Sequence, residues 1–373
     1  MSYRALALGG DAVAVGLITA AFAVLPLVVA LQIGRAVDRG RGVLVVRLGL
    51  GLTVVAVLAA ALSPSLVVLV VASAALGLGQ MLHTVACQSL IPLWSPPGTV
   101  DNRFGRLTLG VSVGQLLGFP LAGGVATITN PGDTGAPVAT TPALLVMAGV
   151  AAVAVPLAFC FAPVRRSRVS RAEAAEAQQS TLAILGMRGM KPAIYSSLTV
   201  LTGMDLLMAY LPVLGQERGL GIGTVTLLLT ARTVTSVVSR AAMPLLLRRL
   251  PRRTLLVSAT LASGVPMTLL PFTGDVVLLT IAMLVVGFFW GLGQPLTMSW
   301  VTLVADRRNR AAALSVRLAG NRIGQVLVPL AAGGLAGLTG GAGAIFHAAG
   351  LLLLSSAACT LVAAKDLPEQ FDG

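Results

Sequence analysis

Asp205, Arg232 and Arg322 are charged residues set deep inside long apolar runs, and they are where this chain could do chemistry. Asp205 lies about ten residues before Gly215, where its run ends, and Arg232 about eleven residues after Gly221, where the next begins. At about 1.5 Å of rise per helical residue both reach the middle of a bilayer at matching depth. Arg322, beside Asn321, lies about twelve residues into its own run. An unpaired charge at that depth costs several kcal/mol, so each is a functional candidate by default. Two roles fit Asp205. It could carry a proton, with Arg232 or Arg322 setting its proton affinity and exchanging partners as it titrates. It could equally form a permanent buried ion pair that holds three helices together. Arg240 and Arg317 sit closer to the ends of their runs, where a long side chain reaches water by snorkelling.

Gln80, Gln115, Gln294 and Gln325 are polar residues in the same apolar surroundings, and with Asn321 they could line a cavity or simply hydrogen-bond between helices. Tyr210, Trp290 and His83 could touch a substrate, although packing is the more ordinary use of such residues. His83 and His347 are the only histidines, and no metal-ligand cluster, nucleophile–base pair or phosphate-binding Gly-Lys-Ser/Thr loop is present. The expectation is therefore a protein without metal or cofactor that is not an enzyme. Cys87, Cys160 and Cys359 show no pairing pattern and read as small packing residues.

The elements that must position these side chains are membrane spans. Hydrophobic residues make up 56% of the 373 and charged residues only 10%, which excludes a water-soluble domain. Charges cluster between apolar runs of about 20 residues, the length a helix needs to cross a bilayer. The runs fall near 12–34, 43–63, 66–91, 104–128, 140–162, 191–214, 221–247, 254–272, 275–300, 310–336 and 341–363. Their composition does not alternate as an outer-membrane barrel would. A cleaved signal over residues 1–30 is disfavoured, because Gly9-Gly10-Asp11 interrupts the run.

The net charge of +13 is a topology signal rather than a nucleic-acid footprint. Assigned to alternate loops, 20 of the 26 Lys and Arg residues fall on one side and two on the other. The positive-inside rule makes the rich side, and the C-terminus with it, cytoplasmic. The expected setting is the cell membrane, and the expected partners are lipid, protons and a small-molecule substrate, handled by a monomer.

The chain is internally duplicated. Gly77-Leu78-Gly79-Gln80 returns as Gly291-Leu292-Gly293-Gln294, 214 positions later. The pattern Gly110, Gly114-Gln115, Gly123-Gly124 returns as Gly320, Gly324-Gln325, Gly333-Gly334, offset by 210. With a third match, Gly34-xxx-Asp38-Arg39 against Pro244-xxx-Arg248-Arg249 at an offset of 210, the common order indicates two bundles of about six helices. Shifting the run 191–214 back by 210 places most of its partner before Met1, so eleven helices of an expected twelve are counted, with the first of the first repeat missing. The halves are 1–162 and 191–373, joined by a basic connection over 163–190 that is helix-prone beyond Arg171.

Two motifs carry a family resemblance. Gly34-Arg35-Ala36-Val37-Asp38-Arg39-Gly40-Arg41-Gly42 resembles the signature loop of the major facilitator superfamily, Gly-xxx-Asp-Arg-x-Gly-Arg-Arg, with one residue absent before the second glycine. The second copy, Pro244 to Arg253, keeps the spacing but has proline for both glycines and Arg248 for the aspartate. The resemblance implies a pseudo-two-fold helical bundle and a cytoplasmic latch formed by Gly34, Asp38, Arg39 and Arg41. Gly114, Gly118, Pro120, Gly123 and Gly124 are similar to the Gly-xxx-Gly-Pro-xx-Gly-Gly motif of the proton-coupled drug-exporter branches, with Phe119 inserted. That likeness implies export of a small molecule, hydrophobic ones included, in exchange for protons by alternating access. An uptake symporter or a non-transporting relative of the same fold remain as alternatives.

Overall fold

The computed structural model describes residues 1–36, 41–94, 100–130, 139–161, 181–305, 310–339 and 341–363. Its helices are α1 (Ser2–Ala7), α2 (Ala12–Ala36), α3 (Gly42–Ala61), α4 (Leu66–Trp94), α5 (Val100–Thr129), α6 (Thr141–Leu157), α7 (Thr181–Gly186), α8 (Met190–Glu217), α9 (Ile222–Arg249), α10 (Arg252–Leu269), α11 (Val276–Val304), α12 (Arg310–Thr339) and α13 (Gly343–Ala363). Short 3₁₀ turns extend α6 over Ala158–Cys160 and α10 over Leu270–Phe272. The protein is an all-α polytopic membrane protein, and every long helix coincides with an expected apolar run within a few residues. Among the described residues, ten helices are long and apolar enough to cross a membrane. The helix α12 is outside that set, because Arg317, Asn321, Arg322 and Gln325 interrupt its apolar sequence.

Helix starts follow local chemistry. Asp11 Oδ1 accepts from the Ala14 N–H at 2.9 Å ahead of α2, and Asp275 Oδ1 accepts from the Val277 N–H at 2.8 Å at the start of α11. Each satisfies an N–H that the first helical turn leaves without a partner. Helix ends are capped by arginines. Arg47 Nε of α3 donates to the Ala158 carbonyl at 3.2 Å, and its guanidinium lies 4.5 Å over the Phe159 ring. Arg253 of α10 donates to the Leu361 carbonyl of α13 at 3.3 Å. A cation at a helix C-terminus meets free carbonyls and the negative end of the dipole.

Packing divides the chain into two units, Met1–Val169 and Ser170–Gly373. In the first, α4 packs on α2 and α3, and α6 on α3. In the second, α11 packs on α9 and α10, α13 on α10, and α8 against α11, α12 and α13. The charged stretch beyond Arg171 lies outside the described residues, whereas α7 buries Ile184 in a core with Met190, Leu256 and Trp300.

Duplication is visible atom by atom. A side chain at Gly77 of α4 would strike the Phe22 carbonyl of α2, and one at Gly291 of α11 would strike Ser236 and Ser239 of α9. One offset of 214 relates Gly77 to Gly291 and Phe22 to Ser236. A turn earlier, Ser73 Oγ donates to the Ile18 carbonyl at 2.8 Å, while Gly287 lies against the Arg232 carbonyl. Those partners share the same offset. In α1 and α8 the helix ends match as well. The Leu8 N–H bonds to the Arg4 carbonyl at 3.1 Å and the Gly10 N–H to the Ala5 carbonyl at 2.9 Å. At positions 210 higher, Arg218 bonds to Leu214 at 3.0 Å and Leu220 to Gly215 at 2.7 Å. Gly9 and Gly219 supply the left-handed residue of each cap, with φ of 78° and 66°. The six residues of α1 are thus the counterpart of the final turns of α8.

Candidate functional site

The helix α8 is the most enclosed membrane-spanning helix of its half. It is packed on three helices at once, and small residues admit them. Trp290 of α11 lies 3.2 Å from the Cβ position of Gly203, and the Cβ positions of Gly320 and Gly324 on α12 stand 2.9 Å from Ile194 and 2.5 Å from Leu198. Hydroxyls on this helix can bond its own carbonyls, as Thr202 Oγ1 does to Leu198 at 2.7 Å, whereas a buried carboxylate, an acceptor only, must find a donor on a neighbouring helix.

Asp205, near the midpoint of the 28 residues of α8, finds a neutral one. Gln325 Nε2 of α12 donates to Asp205 Oδ2 at 2.8 Å. Arg322 Nη1, one turn back on α12, donates to Gln325 Oε1 at 3.0 Å. The amide thus stands between the acid and the guanidinium, with each end satisfied by the group of the right polarity. Arg322 and Arg232 both act electrostatically on the carboxylate.

Arg232 of α9 is 1% exposed. Its Nη2 donates to the neighbouring Thr233 Oγ1 at 3.3 Å, and Nε and Nη1 have no hydrogen-bond partner. Close approach of α11 at Gly287 holds the α9 backbone at this residue. The guanidinium feels Arg240 as a like charge and Asp205 as an opposite one, but the hydrogen bond to Asp205 belongs to Gln325.

A second polar group joins α8, α11 and α12. Arg317 Nη2 donates to Gln294 Oε1 at 2.7 Å and to Thr297 Oγ1 at 3.2 Å, and Gln294 Nε2 donates to the Ser197 carbonyl at 3.3 Å. Arg317 is 5% exposed, so the snorkelling expected of it is corrected. Its position near a helix end describes its depth, whereas the face it occupies decides its partners. Arg317, Asn321 and Gln325 recur every four residues and form one stripe on α12, which also places Asn321 inside. That spacing, with Gln294 and Thr297 three apart on α11, is the signal through which Arg317, Thr297 and Ser197 could have been found in the sequence.

Other candidates are dispersed. Tyr210 and Trp290 are fully buried, and Trp290 Nε1 has no hydrogen-bond partner. Gln80 and Gln115 of the first unit are exposed, and His83 Nδ1 pairs with the Gly79 carbonyl of its own helix at 2.8 Å. On α5, a Cβ at Gly114 or Gly124 would meet nothing within 4 Å, one at Gly118 would only reach Met147 at 3.9 Å, and Pro120 is exposed. Asp38 and Arg39 lie outside the described residues; Gly34 is within α2, and Arg41 precedes α3 as its N-cap. Cys160 and Cys359 are exposed, so the packing role expected of them holds at most for half-buried Cys87. Their helices turn those positions outward.

The Major Facilitator Superfamily model matches residues 1–227 and again residues 193–371. No curated protein matches the chain. Among solved structures, the crystal structure of a D-xylose–proton symporter is similar over 100% of this chain and 90% of its own, with a TM-score of 0.76 and 15% identity. At that identity the likeness shows the fold.

Proposed function

The chain belongs to the major facilitator superfamily, and from that premise we propose that it is a secondary active transporter that couples a small molecule to protons through Asp205. One observation carries this reading: Asp205 is held by the amide of Gln325 rather than by a guanidinium. A carboxylate and a carboxylic acid both accept a hydrogen bond from an amide N–H. The proton can therefore come and go without breaking an ion pair, which a carrier that must cycle through both states requires.

Export in exchange for protons is the direction that the α5 motif favours. Co-transport is the second reading, favoured by the charges around Asp205. Protonating Asp205 leaves the charge of Arg322 and Arg232 unopposed, so a negative substrate binds with the proton and not against it. The D-xylose–proton symporter works in that sense on its own substrate. In this proposal Gly34, Asp38, Arg39 and Arg41 form the latch between conformations, and the chain works as a monomer in the cell membrane with the cytoplasmic C-terminus that its basic loops favour.

Membrane vesicles containing the chain, with a pH-sensitive dye in the lumen, test the proposal as solutes are added singly. Proton movement on addition of a solute, absent from empty vesicles, supports it, and the sign of that movement separates exchange from co-transport. Solute flux that ignores an imposed pH gradient contradicts it.

A further inference from the structure

Between the helix ends of the second unit, the described residues include Arg232 on α9 and Arg317 and Arg322 on α12, with one acid, Asp205, on α8. Asp205 can neutralise one of them. Buried charges in folded proteins are paired, since burial without a counter-charge is costly. Here the hydrogen bonds these guanidiniums give go to neutral atoms. Arg317 donates to Gln294 and Thr297, Arg322 to Gln325, and Arg232 to Thr233. Nε and Nη1 of Arg232 and Nε of Arg317 are buried with no partner at all. Trp290 Nε1 and the hydroxyls of Ser196 and Ser197 are further buried donors without partners. Asn321 Oδ1 is a buried acceptor without a partner. Among its described residues the interior of this unit thus carries more positive than negative charge and several N–H donors without partners.

We propose that the substrate is a small organic anion whose carboxylate or phosphate group supplies the missing negative charge, taken up by the guanidiniums of Arg317 and Arg322 on α12 together with Arg232 of α9. Arginine suits the task, because its planar fork pairs bidentately with carboxylate and phosphate oxygens and stays charged throughout the cycle. A lipophilic cation would meet repulsion from the same groups. The inference rests on the transporter reading and not on Asp205 as the proton site. If both hold, proton and anion reinforce one another: protonation of Asp205 tightens the anion, and the anion favours protonation.

The test uses the purified 373-residue chain in detergent, melted at constant ionic strength while Trp fluorescence is followed. The probes are benzoate, citrate and inorganic phosphate, with tetraphenylphosphonium and glucose for comparison. At least one anion raises the melting temperature saturably, and the cation and the sugar do not. Arg317→Gln and Arg322→Gln each weaken the half-saturating concentration by about tenfold, the loss of one charge-assisted hydrogen bond, and Arg317→Lys restores part of it. The less buried Arg322 serves if the Arg317 variants do not fold. A panel in which no anion shifts the melting overturns the inference. So does saturable stabilisation by tetraphenylphosphonium alone, or an anion response unchanged in both Gln variants. Anion stabilisation that persists in a protein whose flux ignores pH would refute the coupling through Asp205 and leave the anion site standing.

Discussion

Gln325 Nε2 donates to Asp205 Oδ2 across 2.8 Å, tying α12 to α8 through a neutral amide. The same amide accepts from Arg322 at 3.0 Å, so removing it breaks two contacts at once.

Gln325→Leu is expected to destabilise the protein by about 1–3 kcal/mol, because it leaves a carboxylate and a guanidinium without their shared partner. Melting curves of the purified variant check this. Gln325→Glu should behave differently, since a second acid can pair with Arg322. A Leu variant that melts like the wild type would remove the bridge from the account.

Glycines at helix crossings and glycines on α5 should respond in opposite ways. Gly291→Ala places a methyl group against Ser236 and Ser239 where backbones nearly touch. Overpacking of that kind costs about 1–3 kcal/mol or more. Gly114→Ala and Gly124→Ala meet open space in this structure, so their folding should be unchanged or slightly improved through helix propensity. Loss of transport by a well-folded Gly114→Ala protein would support a role for the α5 motif in the transport cycle rather than in packing.

Helix spans were legible in the sequence because a bilayer demands unbroken apolar runs, and α2 to α6 and α8 to α13 follow them closely. The duplication was legible from Gly77 and Gly291, residues that backbone contact forces to be small. The phase between helices was not. Asp205 and Gln325 are 120 positions apart, and nothing in either run says that their faces meet. Arg317 shows the same limit. Its distance from a helix end describes a snorkelling residue, yet the turn of α12 carries it inward to Gln294. The helix α1 is too short to register as apolar periodicity, and only its match to the end of α8 explains it.

Asp38→Asn is expected to slow turnover while leaving protein abundance near the wild-type level. A latch that is made and released needs the carboxylate, whereas an ordinary basic loop tolerates the near-isosteric amide. Transport rates normalised to the amount of protein in the membrane check this, and a wild-type rate counts against the latch.

Asp205 is the proposed carrier of the coupled proton. The direct measurement is substrate flux in vesicles under an imposed pH gradient, for the wild type and Asp205→Asn, with melting curves recorded alongside. The amide approximates the protonated acid and cannot titrate, so flux driven by the gradient should vanish while substrate-induced stabilisation persists. If the carboxylate instead serves chiefly to balance Arg232, the variant leaves that charge buried and uncompensated and folds poorly, at a cost of about 3–5 kcal/mol; adding Arg232→Leu should then restore folding. A well-folded Asp205→Asn protein that still transports in response to the pH gradient would contradict the account.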